Sequence, residues 1–111
     1  MSDFIVDAVG PHGLAGVFED DGDTGYLYLY EQDGRGVLEA VQIYNCSKEL
    51  NVNASDVTLM WSSDGSKCGV FVWNGLRGII DLAKNETISS KVTSRDSPPI
   101  SDPELLRRFP G

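Results

Sequence analysis

Residues 67–82 read KCGVFVWNGLRGIIDL. Two runs rich in β-branched and aromatic side chains flank Asn74-Gly75. Asn-Gly is the strongest short hairpin signal, because a type I′ turn needs positive φ at both central residues. In the first run Val70 and Val72 oppose Phe71 and Trp73 at period two. The stretch predicts a β-hairpin, and it sets the reading of the rest of the chain.

The same punctuation recurs at Asp21-Gly22, Asp33-Gly34 and Asp64-Gly65. Between these turns lie further runs of strand composition. Phe4-Ile-Val-Asp-Ala-Val9 ends at Gly10-Pro11, and residues 14–19 follow. Residues 24–31 alternate cleanly, with Tyr26, Tyr28 and Tyr30 on one face and Leu27 and Leu29 on the other. The leucine face is the expected core. Residues 37–44 are apolar on both sides: Val37, Val41 and Ile43 on one, Leu38, Ala40 and Tyr44 on the other. That pattern predicts a central strand. Residues 45–56 are polar and read as a longer loop. In residues 57–61, Val57, Leu59 and Trp61 share a face. The expected fold is mainly β: a single antiparallel meander of about seven strands, curled into a sandwich or partial barrel.

After Leu82 the texture changes. Residues 1–82 form the expected antiparallel β domain. Residues 83–101 read as a polar linker or edge segment, with a weak edge strand at 88–92. Residues 102–109 are expected to form a short C-terminal helix. Asp102 can cap it with Pro103 at the first helical position, or Ser101 and Glu104 can form a capping box. Arg107 and Arg108 at its far end suit the helix dipole. So short a helix is not stable alone, so Leu105, Leu106 and Phe109 must dock on something.

With 111 residues the chain fits one domain. Its net charge of −8 is unevenly spread. Residues 1–82 carry 13 acidic against 4 basic residues, and residues 83–111 carry 4 against 5. An acidic body repels phosphate backbones and anionic bilayers, so neither nucleic acid nor membrane is an expected partner. A basic protein is compatible with this charge, and so is a purely solubilising role. No apolar run approaches the ~20 residues a bilayer-spanning helix needs. Met1-Ser2-Asp3-Phe4 has no basic n-region, so the expected location is the cytoplasm, where Cys46 and Cys68 stay reduced.

Catalytic constellations are absent from the pattern, and no catalytic residue is assigned. The lone histidine, His12, sits in a turn between Pro11 and Gly13 and is expected to be exposed. One histidine and two separated cysteines do not make a zinc site. Glu19-Asp-Asp-Gly-Asp23 is the one constellation with chemical content. Its hard oxygens suit calcium, yet the spacing fails the EF-hand loop pattern. It reads as a solvated hairpin tip, as a weak calcium site or as a docking site for a basic partner. No metal ligand and no cofactor is assigned. Glu39 and Asp81 stand inside apolar runs, where a carboxyl pair for hydrolysis would have to be sought; each is expected to face solvent or an edge. The tyrosine strip is either an interface surface or the cover of a second layer such as the C-terminal helix. Trp61 is expected to be packing.

Read as ordered blocks, Val17-Phe-Glu-Asp-Asp-Gly-Asp-Thr-Gly-Tyr26, Ala40-Val-Gln-Ile-Tyr-Asn45, Trp61-Ser-Ser-Asp-Gly65, Asn74-Gly75 and Ile80-Asp81 resemble a small bacterial family of unknown function. The resemblance covers residues 17–82. It implies a bacterial, cytoplasmic origin and carries over no site.

The leading expectation is a non-enzymatic, acidic protein-interaction domain, of which a toxin-neutralising immunity protein is one concrete form. Its partner-binding residues would be Glu19, Asp20, Asp21, Asp23, Tyr26, Tyr28 and Tyr30. The alternatives are a small-molecule or calcium-binding β domain and a hydrolase using paired carboxylates. Oligomeric state is not legible.

Overall fold

A computed structural model describes residues 3–34 and 36–110. The Met1-Ser2 start of the N-terminal reading lies outside the described residues. The chain builds two four-stranded antiparallel sheets in place of the single meander expected from sequence. The first holds β1 (Phe4–Val9), β2 (Leu14–Asp20), β3 (Gly25–Glu31) and β4 (Gly36–Tyr44), in that order. The second holds β5 (Val57–Trp61), β6 (Lys67–Val72), β7 (Gly75–Asp81) and β8 (Glu86–Ser89), also in sequence order. Neither closes into a barrel.

The segment between the sheets is the reason for the division. Residues 45–56 are more than a loop. They hold a one-turn helix, α1 (Ser47–Leu50), and a 3-10 turn (Ala54–Asp56). Leu50 and Val52, scattered among polar neighbours, are buried. Two isolated apolar residues in a polar run give no period, so the sequence hid this anchor.

Alternation decides what each strand buries. Register pairs Val6 with Phe18, Phe18 with Leu27 and Leu27 with Val41. These side chains share one face. They join Val57, Leu59, Cys68, Val70, Val72 and Ile80 of the second sheet in one hydrophobic cluster. Close approaches mark the contact between the sheets. A Cβ on Gly16 would lie 2.2 Å from Cys68 Sγ, and one on Gly78 would lie 2.3 Å from Ile43 Cδ1. Trp61 Nε1 donates to Ala8 O at 2.9 Å across the interface, so Trp61 is packing as expected.

β4 is an edge strand, not the central strand expected. Its register against β3 skips Leu38 and Ile43. Each bulge reverses the inward parity, so apolar residues occur on both sides of the sequence pattern although the strand has one neighbour.

The hairpin in residues 67–82 forms, with its turn one residue earlier than expected. Val72 pairs with Gly75. The two loop residues are therefore Trp73 (φ 53°) and Asn74 (φ 65°), which carry the positive φ values. Gly75 is needed for another reason: a Cβ there would lie 2.9 Å from Pro99 of the tail.

Beyond Asp81 the chain supplies β8, two residues upstream of the edge strand expected at 88–92, and stays on the body. Val92 is buried and donates to Ile43 O; Ile100 donates to Leu76 O. α2 (Pro103–Leu106) is capped by Asp102, whose carboxylate accepts from Glu104 N at 2.9 Å. The helix docks on the outer face of the second sheet. There Phe109 meets Phe71 edge-on, with ring centroids 5.7 Å apart, and packs with Leu76 and Ile79. Gly69 leaves the space for the Phe109 ring.

Candidate functional site

The outer face of the first sheet is built by the side chains that alternate with its core. Register lays them out in three cross-strand rows. Ile5, Glu19, Tyr26 and Gln42 form the row nearest the β2–β3 turn. Asp7, Val17, Tyr28 and Ala40 form the middle row, and Val9, Ala15, Tyr30 and Val37 the far row. Ile5 is 62% exposed, Val9 70%, Val37 55%, Tyr26 37% and Tyr30 39%. Tyr28 is half-buried, and its hydroxyl lies 3.4 Å from Glu19 Oε1. Its phenol is held above its ordinary pKa, first by burial and then by the Glu19 charge. The C-terminal helix that could have covered the tyrosines lies on the other sheet. No element among the described residues packs on this face.

The acidic constellation does not act as one cluster. Glu19 belongs to the tyrosine face. Asp20 has the opposite parity, shared with Phe18, and points into the core at 1% exposure. There it accepts from Gly22 N at 2.8 Å and from the Tyr44 hydroxyl at 2.7 Å. Burial and this carboxylate push the Tyr44 phenol far up. The expectation of Asp20 on a solvated tip, offered to a partner, is therefore corrected: its carboxylate is a structural acceptor under the turn. The parity with Phe18 was the signal that could have found it. Asp21 is exposed and accepts from Asp23 N and Thr24 N. These turn bonds, Thr24 first, lower its pKa. Asp23 is exposed at the tip. Among the described residues no three His, Cys, Asp or Glu side chains group so as to hold a metal ion.

Other candidate groups fall elsewhere. His12 is exposed in its turn at φ 59°. Cys46 and Cys68 are free and not bridged. Burial pushes the Cys68 thiol up to about 12. Asp81 did not stay at an edge or in solvent. It is buried, 3.5 Å from Lys67 Nζ, and accepts from Lys84 N at 3.1 Å. Glu39, at the edge strand β4, is half-buried. A cavity of about 180 Å³ between the β4 and β8 edges is lined by Glu39, Asp81 and Glu86. It is smaller than the roughly 300–1,000 Å³ of ordinary ligand pockets, and Asp81 is already committed to Lys67.

Sequence reasoning missed the basic residues that hold the tail. Arg77 is buried and donates to Val72 O and Ser97 O. Its guanidinium lies 5.7 Å from the centre of the Trp73 ring, and that of Arg95 lies 4.5 Å from it. Desolvation lowers the Arg77 pKa. These contacts fasten residues 90–100 to the end of the second sheet. No helix among the described residues is long and apolar enough to cross a membrane.

The chain belongs to a family of uncharacterised proteins conserved in bacteria, DUF2251, whose family model matches residues 3–100. The match takes in the blocks of residues 17–82 and runs on to residue 100, into the tail that the resemblance left outside. No curated protein and no solved structure matches the chain.

Proposed function

We propose that this protein is a non-enzymatic interaction module of the bacterial cytoplasm that binds a basic protein on the outer face of its first sheet. In this reading the two sheets stack as a sandwich. One outer face is occupied by the chain's own C-terminal segment, and the other is offered to the partner. One observation carries the proposal: Tyr26, Tyr30, Ile5, Val9 and Val37 are exposed together on one sheet face, while Phe109 and α2 cover the opposite sheet. Exposed apolar surface of this kind, rimmed by charge, is what interfaces use. Asp7 and Glu19 on the face and Asp21 and Asp23 at its rim give it the sign that steers a cationic partner. A toxin-neutralising protein is the concrete form that size and charge suggest.

The test is affinity capture from a lysate of the source bacterium, with the wild type and three variants as baits. Tyr26→Ser/Tyr30→Ser alters the face, Asp7→Lys/Asp23→Lys reverses its charge, and Arg107→Ser/Leu106→Ser alters the opposite side as a control. The expected result is a basic protein held by the wild type and the control and lost by both face variants. It should also be released by about 0.5 M salt, which shortens the screening length to a few ångströms. Equal capture by all baits would overturn the proposal.

A further inference from the structure

The three rows of the exposed face differ in chemistry, and the difference says what a partner must present. Glu19 in the first row and Asp7 in the middle row are diagonal neighbours across the β1–β2 pair, since Ile5 faces Glu19 and Asp7 faces Val17. Such diagonal positions lie about 7–8 Å apart. Among the described residues no cation pairs with either carboxylate, and Glu19 meets the Tyr28 hydroxyl at 3.4 Å. Tyr26 stands directly opposite Glu19, and Tyr28 leans towards it. Two acids with a gap between them, bordered by tyrosine rings, therefore occupy one end of the face. The far row, Val9, Ala15, Tyr30 and Val37, carries no charge.

We propose that Asp7, Glu19, Tyr26 and Tyr28 form a seat for a partner arginine, and that the Val9–Ala15–Tyr30–Val37 row takes an apolar side chain beside it. This rests on the interaction reading above and narrows it to a partner chemistry. A guanidinium is planar, donates from several edges at once and stacks on aromatic faces. It can reach two carboxylates on opposite sides while lying against a tyrosine. An ammonium is a compact point charge and satisfies one of these demands at a time. Adjacent rows on a sheet are separated by two residues of strand, about 6.6–6.8 Å. That is also the spacing of alternate side chains on an extended segment. The matching partner surface is an extended Arg-x-apolar pair. A second copy of this chain is disfavoured as occupant, because two such faces would bring Asp7 and Glu19 against their own counterparts.

The probe is a blocked peptide, Gly-Ser-Arg-Thr-Leu-Ser-Gly, titrated into ¹⁵N-labelled protein and followed by NMR. The expected shifts are confined to residues 5–9, 15–19 and 26–30, with millimolar affinity. Replacing the peptide's arginine by lysine should weaken binding roughly two- to fivefold, the worth of an exposed cation–π contact. Replacing its leucine by serine should weaken it as well. Asp7→Asn/Glu19→Gln should remove the preference for arginine over lysine. Equal binding of the two peptides, shifts elsewhere on the molecule or no shifts at all would overturn the seat. The two proposals fail separately. A partner captured through Tyr26 and Tyr30 without any arginine preference sinks the seat alone. Capture indifferent to every face variant sinks the interaction reading and the seat with it.

Discussion

Tyr44→Phe removes one oxygen from the core and nothing else. The Tyr44 hydroxyl donates to Asp20 Oδ2 at 2.7 Å, with Tyr44 at 2% and Asp20 at 1% exposure. The ring itself stays in place. It packs over Gly25, where a Cβ would lie 2.5 Å from its Cζ, and lies 5.9 Å from the Phe18 ring. The substitution thus isolates a buried hydrogen bond to a carboxylate. Bonds of that kind contribute about 1.5–3 kcal/mol, and the buried acceptor left behind keeps its desolvation cost. At about 4 °C per kcal/mol for a domain of this size, the melting temperature should fall by about 6–12 °C. Urea unfolding of wild type, Tyr44→Phe, Asp20→Asn and the double variant would give the coupling energy, expected at about 1 kcal/mol or more. A Tyr44→Phe loss under about 0.5 kcal/mol, with no coupling, would show that Asp20 is satisfied without Tyr44 and refute the reasoning. Gly22 N also bonds Asp20, so Asp20→Ala should cost more than Tyr44→Phe and loosen the β2–β3 turn.

Three further outcomes follow from the packing and the charges. Phe109→Ala should cost about 3 kcal/mol, at the low end for a buried aromatic because the site is near the chain end; hydrogen exchange should then speed up at residues 102–109 more than in the sheets. Gly16→Ala places a methyl 2.2 Å from Cys68 Sγ and should destabilise by about 1–3 kcal/mol through overpacking, read by urea midpoint, whereas Gly16→Ala/Cys68→Ala should recover part of that loss. The Asp64 carboxyl is held well below its ordinary value by bonds from Ser66 N, Ser66 Oγ and Ser62 Oγ. A depressed folded pKa stabilises above the unfolded value near 3.9 and is lost as pH falls through the folded one. Wild type should therefore lose more stability than Asp64→Asn between about pH 5 and pH 2, and parallel urea midpoints across that window would contradict the assignment.

Much of the architecture is local, and local features were legible. Tyr26-Leu-Tyr-Leu-Tyr30 fixed one strand and both of its faces, because side chains alternate strictly wherever the ladder is regular. Asp102-Pro103 placed the start of α2, because capping chemistry acts within one turn. The family resemblance was visible in ordered blocks for the same reason, although it stopped at residue 82 while the family match reaches residue 100.

What stayed hidden depends on long-range contacts. Bulges at Leu38 and Ile43 interrupt the period of β4, so an edge strand imitated a central one. Asp20 and Tyr44 lie 24 residues apart, and only pairing across β3 and β4 brings the carboxylate beneath the phenol. The docking place of Phe109 depends on Gly69, 40 positions earlier, where a missing side chain opens a slot on the second sheet. That choice leaves the tyrosine face uncovered. The sequence by itself determined the strands, most of the turns and the acidic charge, all set by neighbours along the chain. The tertiary structure decided which acids meet solvent and which face stays free, because burial depends on what the rest of the chain brings to the other side.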